Sequence, residues 1–197
     1  MKNKGLIFVI SAPSGTGKTT VINRFLLNHK KDFVVSVSVT TRQPRKGEID
    51  GKDYYFFTKD KFKEYVKTGK FLEYAPVLDN FYGTLKETVQ KSVNAGKNVI
   101  MDIDVQGAMK IKSKIRDCVT IFLLPPSFSE LARRLKNRRT DTPEAVAKRL
   151  ALAKKELKER VKYDYIIVNK DLNKATENLE ELFESIYKLE CFKRNRP

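Results

Sequence analysis

The sequence predicts an α/β fold in which a parallel sheet is flanked by helices. Four short apolar runs, at residues 5–11, 98–104, 118–124 and 163–168, are rich in β-forming residues and are predicted to be buried strands. Segments with helical spacing of apolar residues separate these runs, which is typical of βαβ units and of a parallel sheet covered on both faces. A chain of 197 residues suits one compact domain with small appendages.

Two stretches interrupt this alternation of strands and helices. Between residues 34 and 81 apolar residues alternate, as at Val35, Val37 and Val39, which predicts a small, mostly β insertion. Residues 127–160 are helical and basic, and Thr142 is expected to cap the second helix, with Pro143 as its first residue. A basic helical hairpin between two strands is expected of a mobile lid. The predicted division is core 1–35, insertion 36–87, core 88–126, lid 127–160 and core 161–197.

The charge balance predicts an anionic partner. Lysine and arginine number 40 against 24 acids, a formal net charge of +16, but the total does not distinguish a nucleic acid, a membrane surface or a phosphate compound. The apolar run that begins at Leu6 is far shorter than the ~20 residues of a membrane span. Cys118 and Cys191 are too few for a disulfide framework, so we expect a reduced, cytoplasmic protein without a membrane partner.

The strongest motif is a phosphate-binding loop between the first strand and the first helix. Its glycines let backbone N–H groups turn toward a phosphate, and the following helix directs its positive end there. Lys18 can reach the β- and γ-phosphates, and the Thr19 hydroxyl can bind Mg²⁺. The strict pattern begins with glycine, whereas this chain has Ala12. The expected ATP-binding residues are Ala12, Pro13, Ser14, Gly15, Thr16, Gly17, Lys18, Thr19 and Thr20.

Two aspartates end the second apolar run. Strand alternation would point Asp102 and Asp104 to one side, where they could meet a metal or substrate, although such a carboxylate can also cap the next helix. The loop alone leaves a GTPase, an ATPase motor and a small-molecule kinase open. Asn169-Lys170-Asp171 lacks the intervening residue of a guanine-reading Asn-Lys-x-Asp motif. The short chain and the basic helical segment favour a kinase, which must keep water from its transferable phosphoryl group.

Several further motifs follow in a distinctive order. They are residues 36–48 (Ser-Val-Ser-Val-Thr-Thr-Arg-Gln-Pro-Arg-Lys-Gly-Glu), residues 50–56, Glu73, residues 82–84 and residues 102–107 (Asp-Ile-Asp-Val-Gln-Gly). With the phosphate loop, this series closely resembles guanylate kinase over about residues 6–189. The resemblance implies a P-loop kinase fold, and ATP-dependent phosphorylation of GMP and dGMP with Mg²⁺ as the cofactor. It also implies in-line phosphoryl transfer with lid closure.

The resemblance also implies roles for individual residues at the acceptor site. Arg42 and Arg45 would hold the GMP phosphate with the hydroxyls of Tyr54 and Tyr82, and their position around Pro44 suits two guanidinium groups aimed at one dianion. Glu73 would accept hydrogen bonds from guanine N1–H and the 2-amino group, a pair of donors that adenine lacks. The remaining implied contacts are Ser38 and Thr84 with O6, Asp104 near the base and Asp102 near the metal.

On the donor side, the implied catalytic residues are Lys18, Arg134, Arg138 and Arg149. The lid arginines would neutralise charge on the transferred phosphoryl group, but the helix phase leaves open which of the arginines at 133, 134, 138 and 139 point inward. The alternatives to this interpretation are a non-catalytic module of this family, a nucleic-acid-binding protein and a kinase for another monophosphate. We expect ATP and GMP or dGMP as partners and no specific nucleic acid, and the sequence leaves homo-oligomerisation open.

Overall fold

The computed structural model describes residues 4–137 and 142–194. The chain forms two compact units, Met1–Ser11 with Lys30–Ile121 and Ala12–His29 with Phe122–Pro197. In chain order, the elements are β1 (Ile7–Ser11), α1 (Lys18–His29), β2 (Phe33–Val35), β3 (Val39–Thr40), β4 (Tyr55–Phe56), α2 (Lys59–Lys67), β5 (Phe71–Val77), β6 (Asn80–Leu85), α3 (Lys86–Asn94), β7 (Asn98–Asp102), α4 (Val105–Lys114), β8 (Cys118–Leu124), α5 (Phe128–Lys136), α6 (Pro143–Glu156), a 3-10 helix (Leu157–Lys162), β9 (Tyr165–Val168) and α7 (Leu172–Arg194).

Parallel strands form the centre of the first unit. Strand β7 lies between β2 and β1 and pairs with both in parallel, with Val99 opposite Ile7 and Val34. Strand β8, which starts in this unit, follows β1 in the sheet. Helix α4 packs on β1 and α3 packs on β7. The α/β prediction is therefore confirmed, and the strand predicted at 118–124 has those bounds in the structure.

Strand β7 ends at Asp102, and Asp104 lies beyond it as the N-cap of α4. The Asp104 carboxylate accepts a hydrogen bond from the Gly107 N–H, which is the helix-capping alternative that the sequence left open for these aspartates.

The first unit also contains a four-stranded sheet in the order β4-β3-β6-β5. Strands β5 and β6 are an antiparallel hairpin, and β3 pairs antiparallel with β6 and parallel with β4. The three valines expected in one alternating run are divided, because Val35 belongs to β2 and Val39 to β3. Helix α2 was not predicted. Its sequence signals are Thr58, which caps it, and Phe62, which is buried against Phe71.

The second unit contains α1, the end of β8, and the helices and strand that follow. Helix α1 packs on α7, where the Phe25 and Phe183 rings meet edge to face at 4.9 Å. Helices α5 and α6 share a buried cluster of Leu131, Leu135, Val146 and Ala153. Thr142 caps α6 as predicted, through a hydrogen bond from the Ala145 N–H. The predicted turn at 140–143 begins outside the described residues.

Candidate active site

The phosphate loop leads directly into α1. Lys18 is the first residue of the helix, and Gly15 and Gly17 have φ angles of +90° and +94°. This left-handed backbone favours glycine, and the loop turns its backbone toward the helix start. Lys18 is half-buried, whereas the Thr19 and Thr20 side chains are exposed. Helix α1 has no acidic residue in its first turn, so no carboxylate of the helix neutralises its positive end.

Helices α5 and α6 contact the loop. A Cβ atom built on Gly15 would lie 2.9 Å from Leu135 Cδ2 and 3.3 Å from Leu131 Cδ1. From α6, Arg149 donates to the Ser14 hydroxyl at 3.1 Å. The predicted lid segment therefore includes a helix whose buried leucines pack directly on the phosphate loop.

Arg134 lies against the backbone of the same loop. Its side chain donates to the carbonyls of Thr16 at 3.2 Å and Asn169 at 3.5 Å, and to Glu130 Oε1 at 2.8 Å. Its neighbour Arg133 also pairs with Glu130, but its side chain is 65% exposed, compared with 27% for Arg134. The helix phase therefore directs Arg134 to the loop. Hydrogen bonds from both arginines lower the pKa of Glu130 to about 2.

Asn169 was not singled out from the sequence as a site residue. Its side-chain amide is buried and donates to the Thr16 carbonyl at 2.7 Å. The signal that could have revealed it is its position, because it directly follows β9, and the carboxyl ends of parallel strands are where ligands bind in such sheets. The expected contribution of Arg138 lies outside the described residues.

In the first unit, two carboxylates meet at the edge of the four-stranded sheet. Glu73, only 3% exposed, accepts a hydrogen bond from the Thr84 hydroxyl at 2.8 Å. A Cβ built on Gly107 would lie 2.6 Å from Glu73 Oε2 and 3.3 Å from Asp104 Oδ1. The second oxygen of Asp104 is buried and has no hydrogen-bond partner in the described part of the chain.

Burial raises the pKa of Glu73 to about 7, and the negative charge of Asp104 adds to this effect. The hydrogen bond from Thr84 and the charges of Lys110 and Lys114 act in the opposite direction. A hydroxyl has one hydrogen, so the predicted contact of Thr84 with guanine O6 requires its bond to Glu73 to break. Ser38, the other residue predicted to meet O6, is buried beside β3.

A second cluster surrounds Arg42. Its guanidinium forms a two-pronged ion pair with Glu48, with nitrogen–oxygen distances of 2.8 and 2.9 Å. It lies over the Tyr54 ring at 5.4 Å, and the Tyr54 and Tyr82 rings meet edge to face at 6.1 Å. Glu48 is the last residue of the 36–48 motif, and no role was predicted for it. Arg45 is exposed, and its backbone N–H donates to Glu48 at 2.6 Å.

These contacts shift the pKa values of the cluster. The hydrogen bond with Glu48 and, more weakly, that with Tyr82 keep the pKa of Arg42 above its usual range, and the same ion pair lowers the pKa of Glu48. Burial, with a smaller effect from Asp102, raises the pKa of Tyr54 to about 12. At neutral pH the cluster therefore presents a charged guanidinium and the neutral Tyr54 phenol, which can donate to an anion.

The two clusters lie on one face of the sheet. Tyr82 and Thr84 are two residues apart on β6, so their side chains point to the same side, about 7 Å apart along the strand. Tyr82 belongs to the Arg42 cluster, and Thr84 binds Glu73. The sheet thus presents the guanidinium and phenol groups of one cluster beside the paired carboxylates of the other.

A phosphate loop at a helix start, with arginine-bearing helices packed on it, together with a parallel sheet flanked by helices, defines a P-loop kinase. The comparisons with known proteins identify the family within this class. The family model described as guanylate kinase matches residues 4–186. The chain therefore belongs to the guanylate kinase family.

Individual relatives agree with this assignment. A guanylate kinase from Caldanaerobacter subterraneus subsp. tengcongensis is 44% identical over 182 residues, which cover 92% of this chain and 88% of the relative. One from Neisseria gonorrhoeae is 49% identical, with coverages of 89% and 85%. The crystal structure of guanylate kinase from Anaplasma phagocytophilum has a TM-score of 0.77 and 36% identity, covering 94% of this chain and 87% of that one. Within residues 4–137 and 142–194, no helix is long and apolar enough to cross a bilayer.

Proposed function

We propose that the two clusters on the four-stranded sheet bind GMP and dGMP, and that the phosphate loop with its arginines binds ATP. The chain transfers the γ-phosphoryl group of ATP to GMP, giving ADP and GDP. One observation carries the assignment of the GMP site. Tyr82 and Thr84 are two residues apart on β6, so their side chains point to the same face of the sheet. The Arg42 cluster, which contains Tyr82, and the carboxylate pair, which Thr84 contacts, therefore lie on that face together. A nucleoside monophosphate has the matching chemistry, with a dianion at one end and a base at the other.

Guanine is selected by the carboxylates. Ionised Glu73 accepts from N1–H and the 2-amino group at once, and the buried Asp104 Oδ2 supplies a further acceptor. Adenine has no such pair of adjacent donors, so it would leave buried acceptors unpaired, at a loss of about 1–3 kcal/mol. None of the contacts proposed here involves the ribose 2′-hydroxyl, so we expect dGMP to be accepted as well as GMP. Ser38 donates to O6, and Thr84 acts mainly by orienting Glu73.

The acceptor phosphate is held by Arg42, with Tyr54 and Tyr82 as hydroxyl donors. Glu48 fixes the plane of the Arg42 guanidinium, which gives the anion a pre-oriented partner. Arg45, exposed beside this cluster, adds a second charge when the phosphate is bound.

The donor side works by positioning and electrostatics. Backbone N–H groups of residues 12–20, except Pro13, which has none, hold the triphosphate, and Lys18 neutralises charge on the β- and γ-phosphates. The side chains of Arg149 and Arg134 contact the loop and add positive charge there. Arg138 is proposed for the same role. Phosphoryl transfer requires no covalent protein nucleophile, so we assign none.

The residues present are compatible with Mg²⁺. In the described part of the chain, no group of three or more His, Cys, Asp or Glu could enclose a metal ion. Mg²⁺ needs no such cage in kinases, because it takes one or two protein oxygens together with phosphates and water. The Thr19 hydroxyl would hold it in the second unit, and the Asp102 carboxylate is the candidate ligand in the first. When bound, Mg²⁺ neutralises phosphate charge.

Equilibrium binding separates these roles. Calorimetry with GMP, guanosine and AMP should show that Arg42→Met strongly reduces the preference for GMP over guanosine, and that Glu73→Gln strongly reduces the preference for GMP over AMP. Lys18→Met should bind GMP normally and lose turnover, and the surface variant Arg24→Met serves as the control. Equal losses with all three ligands in Arg42→Met and Glu73→Gln would contradict the proposed GMP site. Chelation by EDTA should stop turnover, and added Mg²⁺ should restore it.

A further inference from the structure

We propose that a row of side chains on α4, namely Gln106, Lys110 and Lys114, positions Glu73 and thereby determines guanine specificity. This inference rests on the proposed role of Glu73 in binding the base. The three side chains do not belong to either cluster of the proposed GMP site.

The row binds the outer edge of β5, the strand that carries Glu73. Strand β5 is at the end of its sheet, with β6 on one side only. On the other side, Lys114 donates to the Leu72 carbonyl at 2.9 Å, Lys110 donates to the Tyr74 carbonyl, and Gln106 donates to the Pro76 carbonyl at 3.5 Å. Alternate carbonyls of the strand therefore meet every fourth residue of the helix.

The spacings explain why the register fits. Four helical residues rise about 6 Å. Two residues of an antiparallel strand advance about 6.8 Å, so the steps of helix and strand nearly match over this short length. The order is reversed, with residues 106, 110 and 114 opposite 76, 74 and 72, so α4 runs antiparallel to β5.

Glu73 lies between the two carbonyls that the lysines hold. Leu72 and Tyr74 flank it in the chain, so fixing both carbonyls limits rotation of the backbone on either side of Glu73. The same helix begins with Asp104 as its cap and carries Gly107 against Glu73 Oε2. A shift of α4 along β5 would move both carboxylates out of register with each other.

The lysines also act through their charge. Burial and the Asp104 carboxylate favour protonated Glu73, whereas the Thr84 hydrogen bond and the charges of Lys110 and Lys114 favour the ionised form. The ionised form is the one that accepts from both guanine donors. Lysines beside a strand edge can alternatively serve only to prevent edge-to-edge association, which would not affect substrate preference.

The test is the double variant Lys110→Met/Lys114→Met, assayed with GMP at saturating ATP across pH 6–9. We expect kcat/KM for GMP near pH 7 to fall about tenfold and to recover as the pH rises, while KM for ATP stays unchanged. Lys110→Arg/Lys114→Arg keeps the charges and the donors and should recover most of the loss. Lys91→Met, an exposed lysine on α3, is the matched control.

Two comparisons make the result decisive. The Glu73→Gln variant defines the part of the pH profile that does not come from Glu73, including titration of the GMP phosphate. If Glu73→Gln impairs GMP use and the double methionine variant matches Lys91→Met, the inference is overturned while the GMP site stands. The inference is also overturned if the double methionine variant loses catalytic efficiency equally for GMP and ATP and independently of pH. If Glu73→Gln itself leaves GMP kinetics intact, the proposed base contact fails, and the inference fails with it. The single variant Lys114→Met provides the same readout if the double variant does not fold.

Discussion

Glu73 and Gly107 are in such close contact that a methyl group on Gly107 would lie 2.6 Å from Glu73 Oε2. The missing side chain makes room for one carboxylate, and the Gly107 N–H binds the other, that of Asp104, at 2.6 Å. One glycine in the first turns of α4 therefore sets the position of both acids.

Gly107→Ala should impair GMP use selectively. The methyl group must displace the flexible Glu73 side chain, whereas the helix itself favours alanine over glycine. We expect kcat/KM for GMP to fall about tenfold, from the loss of ~1–3 kcal/mol of base contact, with KM for ATP unchanged. Steady-state kinetics with each substrate varied in turn measure this. Ser113→Ala, on the exposed side of the same helix, is the control, and GMP kinetics equal to that control would argue against the contact.

Glu73→Gln should stabilise the protein at neutral and alkaline pH. The folded-state pKa of Glu73 is raised from 4.5 to about 7, so the folded protein holds this proton more tightly than the unfolded chain. The stabilisation from the proton is complete below about pH 4.5 and is lost as the pH rises through about 7. The free energy of unfolding of the variant should therefore rise relative to that of the wild type over this range, by about 3 kcal/mol at pH 8.

Urea unfolding at pH 4.5 and pH 8, without nucleotide, gives both free energies. The glutamine can still accept from Thr84, so the comparison isolates the charge. Glu64→Gln on α2 controls for loss of a surface carboxylate. A difference between variant and wild type that does not change with pH would rule out the raised pKa.

Gly15→Ala should destabilise the protein more than Gly47→Ala. Both glycines have a φ of +90°, but a Cβ at Gly47 meets nothing within 4 Å, whereas at Gly15 it meets Leu135 at 2.9 Å. Backbone strain alone amounts to about 1–2 kcal/mol, and the contact with α5 adds to it only at Gly15. Thermal or urea unfolding measures the difference.

The variant Leu135→Ala tests whether contact with α5 causes the extra destabilisation expected for Gly15→Ala. In a double-mutant cycle, the loss from Gly15→Ala should be smaller in the Leu135→Ala background, because the obstructing carbon atoms are gone. Strictly additive changes in the free energy of unfolding would show that the added methyl group at position 15 does not meet Leu135 of α5.

Asn169→Asp should weaken ATP use more than Asn169→Ala. Alanine removes the donor to the Thr16 carbonyl, whereas aspartate places a negative oxygen where that donor lies, 2.7 Å from the carbonyl. We expect KM for ATP to rise severalfold in Asn169→Ala and further in Asn169→Asp, with KM for GMP unchanged. Asn173→Asp, exposed at the start of α7, controls for the added charge. An Asn169→Asp enzyme with the KM of the control would show that this bond does not shape the loop.

Short sequence patterns predicted the strands and helix starts that depend mainly on neighbouring residues. The apolar run at 118–124 has no alternative to a buried strand, and Thr142-Pro143 carries its own capping signal. Helix α2 was not predicted because it is short and follows alternating residues, although Thr58 and Phe62 mark its start and its buried face.

Partners that are distant in the fold could not be predicted in this way. Glu130 and Arg134 are four residues apart, yet the carbonyls that receive Arg134 come from residues 16 and 169. Glu48 reaches Arg42 across a loop, and Asn169 reaches Thr16 from the other end of the chain. The sequence indicated which residues carry the chemistry, whereas only the fold determines which of them hold the others in place.

The proposed selectivity of this kinase for guanine depends on Glu73. The most direct measurement is the rate of ADP release with GMP, AMP, UMP and CMP in parallel, for the wild type and for Glu73→Gln. Rapid release with GMP alone, reduced at least about tenfold in Glu73→Gln with no gain for UMP or CMP, is the predicted result. Unchanged preference for GMP in Glu73→Gln would contradict it.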